Sequence, residues 1–187
     1  HEQGLFGSSS ASFDAAIVNP PYLKFRADSR LRRLLRETGI ETSNMYTAFV
    51  WLALKLLSPS GELVCITPRS FCNGPYFTPF RRFLTTTASL RRIHVFESRE
   101  KAFADDDVLQ ENIIMQAHKG AHQGKVVLTK SDGPSFDDVC EREVDHCRVV
   151  RRDDRMAMLH IALDELDDCV TRQVTALPAT LDDLGLT

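Results

Sequence analysis

Phe13-Asp14-Ala15-Ala16-Ile17-Val18-Asn19-Pro20-Pro21-Tyr22 is the stretch from which the rest of the chain is read. Phe13 to Val18 is a short apolar run broken only by Asp14, with the length and composition of a buried strand. It halts at two consecutive prolines, which fix their own φ and carry no N–H. Each also pushes the residue before it toward extended geometry. In open α/β sheets ligands bind beyond the carboxyl ends of the strands, so a stiff polar loop at that point is a candidate site.

The residue types in the loop suit one kind of chemistry. Asn19 offers a side-chain carbonyl oxygen and Pro20 a backbone one. Two acceptors placed on the N–H bonds of a planar-flanked amine would hold its lone pair toward an electrophile. They would also stabilise the positive charge that develops on the nitrogen. Acceptors already in place need no reorganisation during the reaction. Tyr22 adds a flat, rigid face, and base stacking on an aromatic ring contributes ~1–3 kcal/mol per base. The bland alternative is a turn that merely ends a strand.

Working outward, Asp28 can cap a helix with apolar positions Leu31, Leu34 and Leu35 and a stop at Gly39. A stronger helix is expected from about Ser43. Its core stripe is Tyr46, Phe49, Val50, Ala53, Leu54 and Leu57. Ser58-Pro59-Ser60-Gly61 reads as a turn and Leu63 to Ile66 as a second buried strand. Phe77, Phe80, Phe83 and Leu84 mark a third helix, and Ile93 to Phe96 and Ile113 to Ala117 two further strands. Alternating strands and helices predict an α/β layer fold with a largely parallel sheet. Beyond Gly120 the periodicity fades. Lys125 to Thr129 still reads as a strand, and residues 121–187 are expected to form an appendage or the start of a second domain.

Composition narrows the class. With 187 residues, 43% hydrophobic and 26% charged, the chain can bury one domain's core. No apolar run approaches the ~20 residues of a membrane span. Five cysteines at irregular spacing (Cys65, Cys72, Cys140, Cys147, Cys169) argue against a disulfide framework and for a reducing cytoplasm. A formal net charge of −3 says little about nucleic acid, because binding depends on where positive charge sits. It sits in clusters: Arg26, Arg30, Arg32, Arg33 and Arg36, then Arg81/Arg82, Arg91/Arg92 and Arg151/Arg152. Of these, Arg26, Arg30, Arg32 and Arg33, just after the Asn-Pro-Pro-Tyr loop, are the candidate nucleic-acid phosphate contacts; a solvated helix face is the alternative. His118 and His122 have helical ligand spacing but sit beside Lys119-Gly120 with no third ligand near, and no metal is expected. Cys140, His146 and Cys147 fit no zinc spacing.

The strand and Asn19-Pro20-Pro21-Tyr22 together resemble motif IV of the amino-methyltransferases. They are most similar to the bacterial restriction–modification DNA adenine-N6 methyltransferases in which the donor-binding region precedes this motif. Asn44-Met45-Tyr46 opening a helix, the Leu57 to Gly61 turn and the strand ending Thr67-Pro68-Arg69-Ser70-Phe71 resemble that group's next elements, over about residues 13–120. The resemblance implies the C-terminal half of a Rossmann-like S-adenosylmethionine-dependent methyltransferase sheet in residues 1–120, with a short β-containing appendage, or a linker toward a target-recognition domain, in 121–187. It also implies transfer of a methyl group from S-adenosylmethionine to N6 of an adenine flipped out of double-stranded DNA, in a bacterial cytoplasm. Asn19, Pro20, Pro21 and Tyr22 are then the catalytic residues, and Tyr22 and Phe103 the two base-stacking rings, with Phe96 in reserve. The glycine-rich donor loop of that group is missing from residues 1–12. The chain opens on His1 and reads as a fragment whose partners include the remainder of its parent chain. The isolated fragment is expected to bind the donor weakly or not at all and to be inactive. The same motif serves methyltransferases acting on protein glutamine or ribosomal-RNA guanine, and a non-catalytic DNA-binding fragment is the alternative of another class.

Overall fold

The structure, a computed structural model, describes residues 12–97, 111–179 and Gly185. Its centre is one six-stranded sheet in the order β1-β2-β4-β3-β5-β6. The strands are β1 (Phe13–Val18), β2 (Leu57–Pro68), β3 (Ala88–Phe96), β4 (Asn112–Lys119), β5 (Lys125–Ser131) and β6 (Cys140–Asp145). The helices are α1 (Arg30–Glu37), α2 (Met45–Leu56), α3 (Thr78–Thr87), α4 (His146–Val149) and α5 (Glu165–Thr175).

The sheet is mixed, where the alternating pattern predicts a largely parallel one. β1 runs parallel to β2 and β3 parallel to β5, but β4 opposes both β2 and β3, and β6 opposes β5. The reason lies in connectivity. Helix α3 carries the chain from β2 over to β3, leaving a gap between them. β4 fills that gap antiparallel to both neighbours, entering at the edge where β3 ends. All six strands therefore share one edge, where β1, β2, β3 and β5 end and β4 and β6 begin. The strand expected at Lys125 to Thr129 is β5, and it extends this same sheet.

Helices α2 and α3 cover the core. Tyr46, Val50, Leu54 and Leu57 are buried as their spacing predicts, joined by Thr47 and Trp51. Below them lie the alternate residues Leu63, Cys65, Ile93, Ile113 and Met115. Trp51 stacks on Phe83 at 4.4 Å and 15°, which locks α2 to α3. Phe49 departs from the stripe and is exposed, since Trp51 takes the inward position. Leu54 is fully buried, and Leu54→Ala is expected to cost about 2–5 kcal/mol in chemical denaturation.

Several local features differ from the sequence reading. Ser29, and not Asp28, caps α1, its hydroxyl accepting from Arg32 N at 3.3 Å. Leu31 and Leu34 are exposed and only Leu35 packs against the core, because α1 lies on the rim beyond the sheet. Ser58 to Gly61 is a bulge within β2, with Ser60 at φ 65° and a register jump opposite Phe13/Ala15. β1 is less buried than a buried strand would be: it pairs with β2 alone among the described residues, and Ile17 is 88% exposed.

Arg81 is the largest departure. Its place in a basic pair suggests a phosphate-facing surface, yet the residue is fully buried. The guanidinium donates to the carbonyls of Phe71 (2.9 Å), Asn73 (2.9 Å), Gly74 (2.7 Å) and Met156 (2.8 and 3.0 Å), and to Thr78 Oγ1 (3.2 Å). Burial pushes its pKa down, while Asp154 opposes the shift. One side chain thus ties the loop after β2 to the C-terminal segment. Further along that segment, Asp168 accepts from Arg142 (3.0 Å) and Arg148 (2.5 Å), which holds α5 against β6 and α4.

His94 is buried at the end of β3. Ser131 Oγ gives its proton to Gly133 O (2.8 Å), so it accepts from His94 Nε2–H (3.1 Å). Nδ1 is left to accept from Thr129 Oγ1 (2.9 Å). This tautomer is the neutral ring, which burial, aided by Arg92, favours by pushing the pKa below 6.5 against Asp138. The unfolded chain binds this proton more readily, so stability is full above the ordinary histidine pKa and falls as pH drops through it. Urea unfolding should show lower stability at about pH 5.5 than at about pH 7.5, with a shallower slope in His94→Gln. His146 and His160, also held down by burial, act in the same direction.

Candidate active site

The Asn19–Tyr22 loop leaves the shared edge at the carboxyl end of β1. Asn19 is exposed, and no group among the described residues hydrogen-bonds its carboxamide. Pro20 is buried and Pro21 exposed, so the loop is anchored through the first proline and stiffened by both. Tyr22 is half-buried and packs against the core. Burial raises its pKa to about 12, with a smaller push from Cys65, so the phenol stays neutral at physiological pH.

What holds this loop is the start of α2. Lys24 and Asn44 form an isolated antiparallel bridge: Phe25 N donates to Ser43 O (2.9 Å) and Met45 N to Leu23 O (2.8 Å). The bridge closes the chain on itself a few residues after Tyr22. Asn44 is buried as the N-cap of α2, and Thr47 Oγ1 donates back to its carbonyl at 2.9 Å. Tyr46 then meets Tyr22 edge to face, with centroids 6.2 Å apart at 80°. It also bonds Ser70 Oγ at 3.1 Å and packs on Phe77 at 6.0 Å. Asn44-Met45-Tyr46 is thus the brace of the loop, a role that sequence spacing alone does not show.

The other expected residues are distributed as follows. Arg26, Arg30, Arg33 and Arg36 are exposed, and Arg26 pairs with Asp28 at 4.0 Å. Arg32 is half-buried, its Nε shielded and without a hydrogen-bond partner among the described residues. Phe103 lies outside the described residues. The segment that carries it leaves β3 at Glu97 and rejoins β4 at Asn112, both on the shared edge, where Arg69 N donates to Glu111 O at 2.6 Å. Phe96 is buried against His94 (4.7 Å) and Phe136 (6.0 Å). It sits three strands away from β1, which removes it as a ring for the same ligand as Tyr22. His118, on β4, faces Glu62 at 3.6 Å, while His122 lies in the turn before β5. All five cysteines are free. No helix among the described residues is long and apolar enough to cross a membrane.

The two parallel strands β1 and β2, followed by an antiparallel strand lodged between β2 and β3, define the class: part of a Rossmann-like class I S-adenosylmethionine-dependent methyltransferase sheet. A candidate class I methyltransferase from Listeria monocytogenes shares this fold with a TM-score of 0.53 at 16% identity, over 68% of this chain and 38% of that one. Within the class, the chain belongs to the Eco57I restriction-modification methylase family, which matches residues 2–103. It is 46% identical to the type II methyltransferase M.PstI of Providencia stuartii, over 99% of this chain and 37% of that protein. It is 45% identical to the type II methyltransferase M.BsuBI of Bacillus subtilis, over 86% of this chain and 32% of that protein. The chain therefore spans about a third of the length of these relatives.

Proposed function

We propose that this chain is the base-holding part of a bacterial restriction–modification DNA methyltransferase that transfers a methyl group from S-adenosylmethionine to adenine N6. The observation that carries the reading is the exposed Asn19 beside a buried Pro20 and a half-buried Tyr22, on a loop braced by α2 at the carboxyl edge of the sheet. An adenine inside a duplex cannot reach such a loop, so it is flipped out. Its ring lies on Tyr22. Its exocyclic N–H bonds point to Asn19 Oδ1 and Pro20 O, which hold the nitrogen lone pair outward and stabilise the charge that forms.

The donor, when bound, supplies an electrophilic methyl group on a cationic sulfonium. The Asn19–Tyr22 loop presents acceptors and no cation, and this suits a positively charged reagent. Phe103 is the proposed second ring over the base. Arg26, Arg30, Arg32 and Arg33 are the proposed phosphate contacts, and α1 carries most of them just beyond the loop. Action on chromosomal DNA places the protein in the bacterial cytoplasm.

The test is labelled-methyl transfer by the full-length protein to duplex DNA, to a release factor and to ribosomal RNA. Label is expected in DNA as N6-methyladenine. Label only in protein glutamine or RNA guanine would overturn the reading. For the phosphate contacts, Arg30→Ala with Arg33→Ala should reduce the salt slope of DNA binding by about 2. An unchanged slope would remove α1 from the DNA surface.

A further inference from the structure

Tyr76 stands outside the Asn19–Tyr22 loop, and its setting is unusual. It is the most exposed aromatic side chain among the described residues, at 81%. It sits in a short 3-10 turn, Pro75–Phe77, between β2 and α3. A bulky ring in water on a loose loop would carry no information, but this turn is not loose. Gly74 stands at φ 74°, a conformation that favours glycine, and Pro75 fixes the next φ. The carbonyls of Phe71, Asn73 and Gly74, just before the turn, are all held by the buried Arg81 guanidinium. On its other side the turn is held by Phe77, whose ring packs on Tyr46.

The same contacts fix where the ring stands. Tyr46 touches Tyr22 at 6.2 Å and Phe77 at 6.0 Å, so Tyr76 is next in the chain to a ring only one aromatic removed from Tyr22. Both lie at the edge where β1 and β2 end and where α2 and α3 begin. The fold therefore spends a buried cation and a proline to present one exposed ring beside the candidate base site. Rigid aromatic faces lose little entropy on binding, and any nucleobase has a face to stack on.

We propose that Tyr76 is a DNA-stacking residue, its ring packing on a nucleobase of the bound duplex adjacent to the extruded adenine. This rests on the reading of the Asn19–Tyr22 site as a base-holding loop. The ring lowers the cost of disrupting the duplex by replacing stacking lost next to the vacated position. It is a positioning residue for the DNA and does not touch the reacting atoms.

The experiment uses the full-length protein and duplexes bearing its methylation site, mapped by transfer to unmethylated DNA, with 2-aminopurine at the target adenine as the probe of flipping. Tyr76→Ala should raise KM for DNA about tenfold and weaken the 2-aminopurine signal, with kcat at saturating DNA within about twofold. Tyr76→Phe should match the parent, because stacking needs the ring and not the hydroxyl. Thermal midpoints of both variants should match the parent, since the side chain is solvent-exposed. Parent-like KM and fluorescence in Tyr76→Ala would overturn the proposal, as would a Tyr76→Phe defect equal to that of alanine. Asn19→Ala run alongside separates the two ideas. Full transfer by that variant sinks the base-holding reading itself, whereas its loss together with an unaffected Tyr76→Ala sinks only the stacking role.

Discussion

Asn19→Ala in the full-length protein should reduce methyl transfer by at least about a hundredfold while leaving DNA affinity within about twofold. The size follows from what the side chain is asked to do. An exocyclic amine is a poor nucleophile because its lone pair is shared with the ring. Rotating that pair outward and accepting the charge that develops both depend on acceptors that are already in position. Asn19 stands exposed at the end of β1, its carboxamide free of protein partners among the described residues, so truncation leaves no buried polar group behind and should not unfold the loop. The expected loss is in kcat, since the interaction strengthens only as the amine turns and charges. Single-turnover kinetics with anisotropy on the same DNA separate the two quantities. Retained turnover would show that the acceptor lies elsewhere. Tyr22 should add no titration through the neutral range, because its pKa is pushed up to about 12.

Arg81→Ala is expected to cost about 3–5 kcal/mol of stability, read by urea denaturation. Total stability of a domain is only about 5–15 kcal/mol, so the variant should sit near the threshold of folding. The guanidinium donates to four carbonyls and a hydroxyl while fully buried. Removing it strands those acceptors away from water, and each unsatisfied group costs about 1–3 kcal/mol. Two of them are separated from Arg81 by sequence in opposite directions: Phe71 lies before it and Met156 far after it. The loss should therefore loosen the loop after β2 and the C-terminal segment together. Arg81→Lys should recover only part of the stability, because an ammonium has three donors and no planar fork. A loss under about 1 kcal/mol in Arg81→Ala would show that water replaces the guanidinium.

The readable part of the site was the part whose physics is local. Asn19-Pro20-Pro21-Tyr22 carries its own stiffness, because proline restricts itself and its predecessor without outside help. Tyr46, Val50 and Leu54 were legible as a buried stripe because helical periodicity is a property of consecutive residues. Arg81 was not. A basic residue beside another basic residue looks the same whether it meets phosphate or carbonyls, and the carbonyls it meets come from positions 71 and 156. The exposure of Tyr76 was not legible either, because a Gly-Pro pair such as Gly74-Pro75 signals a turn but not which ring the turn leaves in water.

By itself, then, the chain's sequence determined the α/β class, the strand ending in an acceptor-rich loop, and the family to which that loop belongs. The tertiary structure alone decided that β4 enters between β2 and β3 in the opposite direction, that Asn44 and Tyr46 brace the loop, and that one arginine is core while another ring faces water. The physical reason is range. Backbone restriction and periodic burial act between near neighbours, whereas strand order and the desolvation of a charge depend on which distant segments arrive to satisfy it.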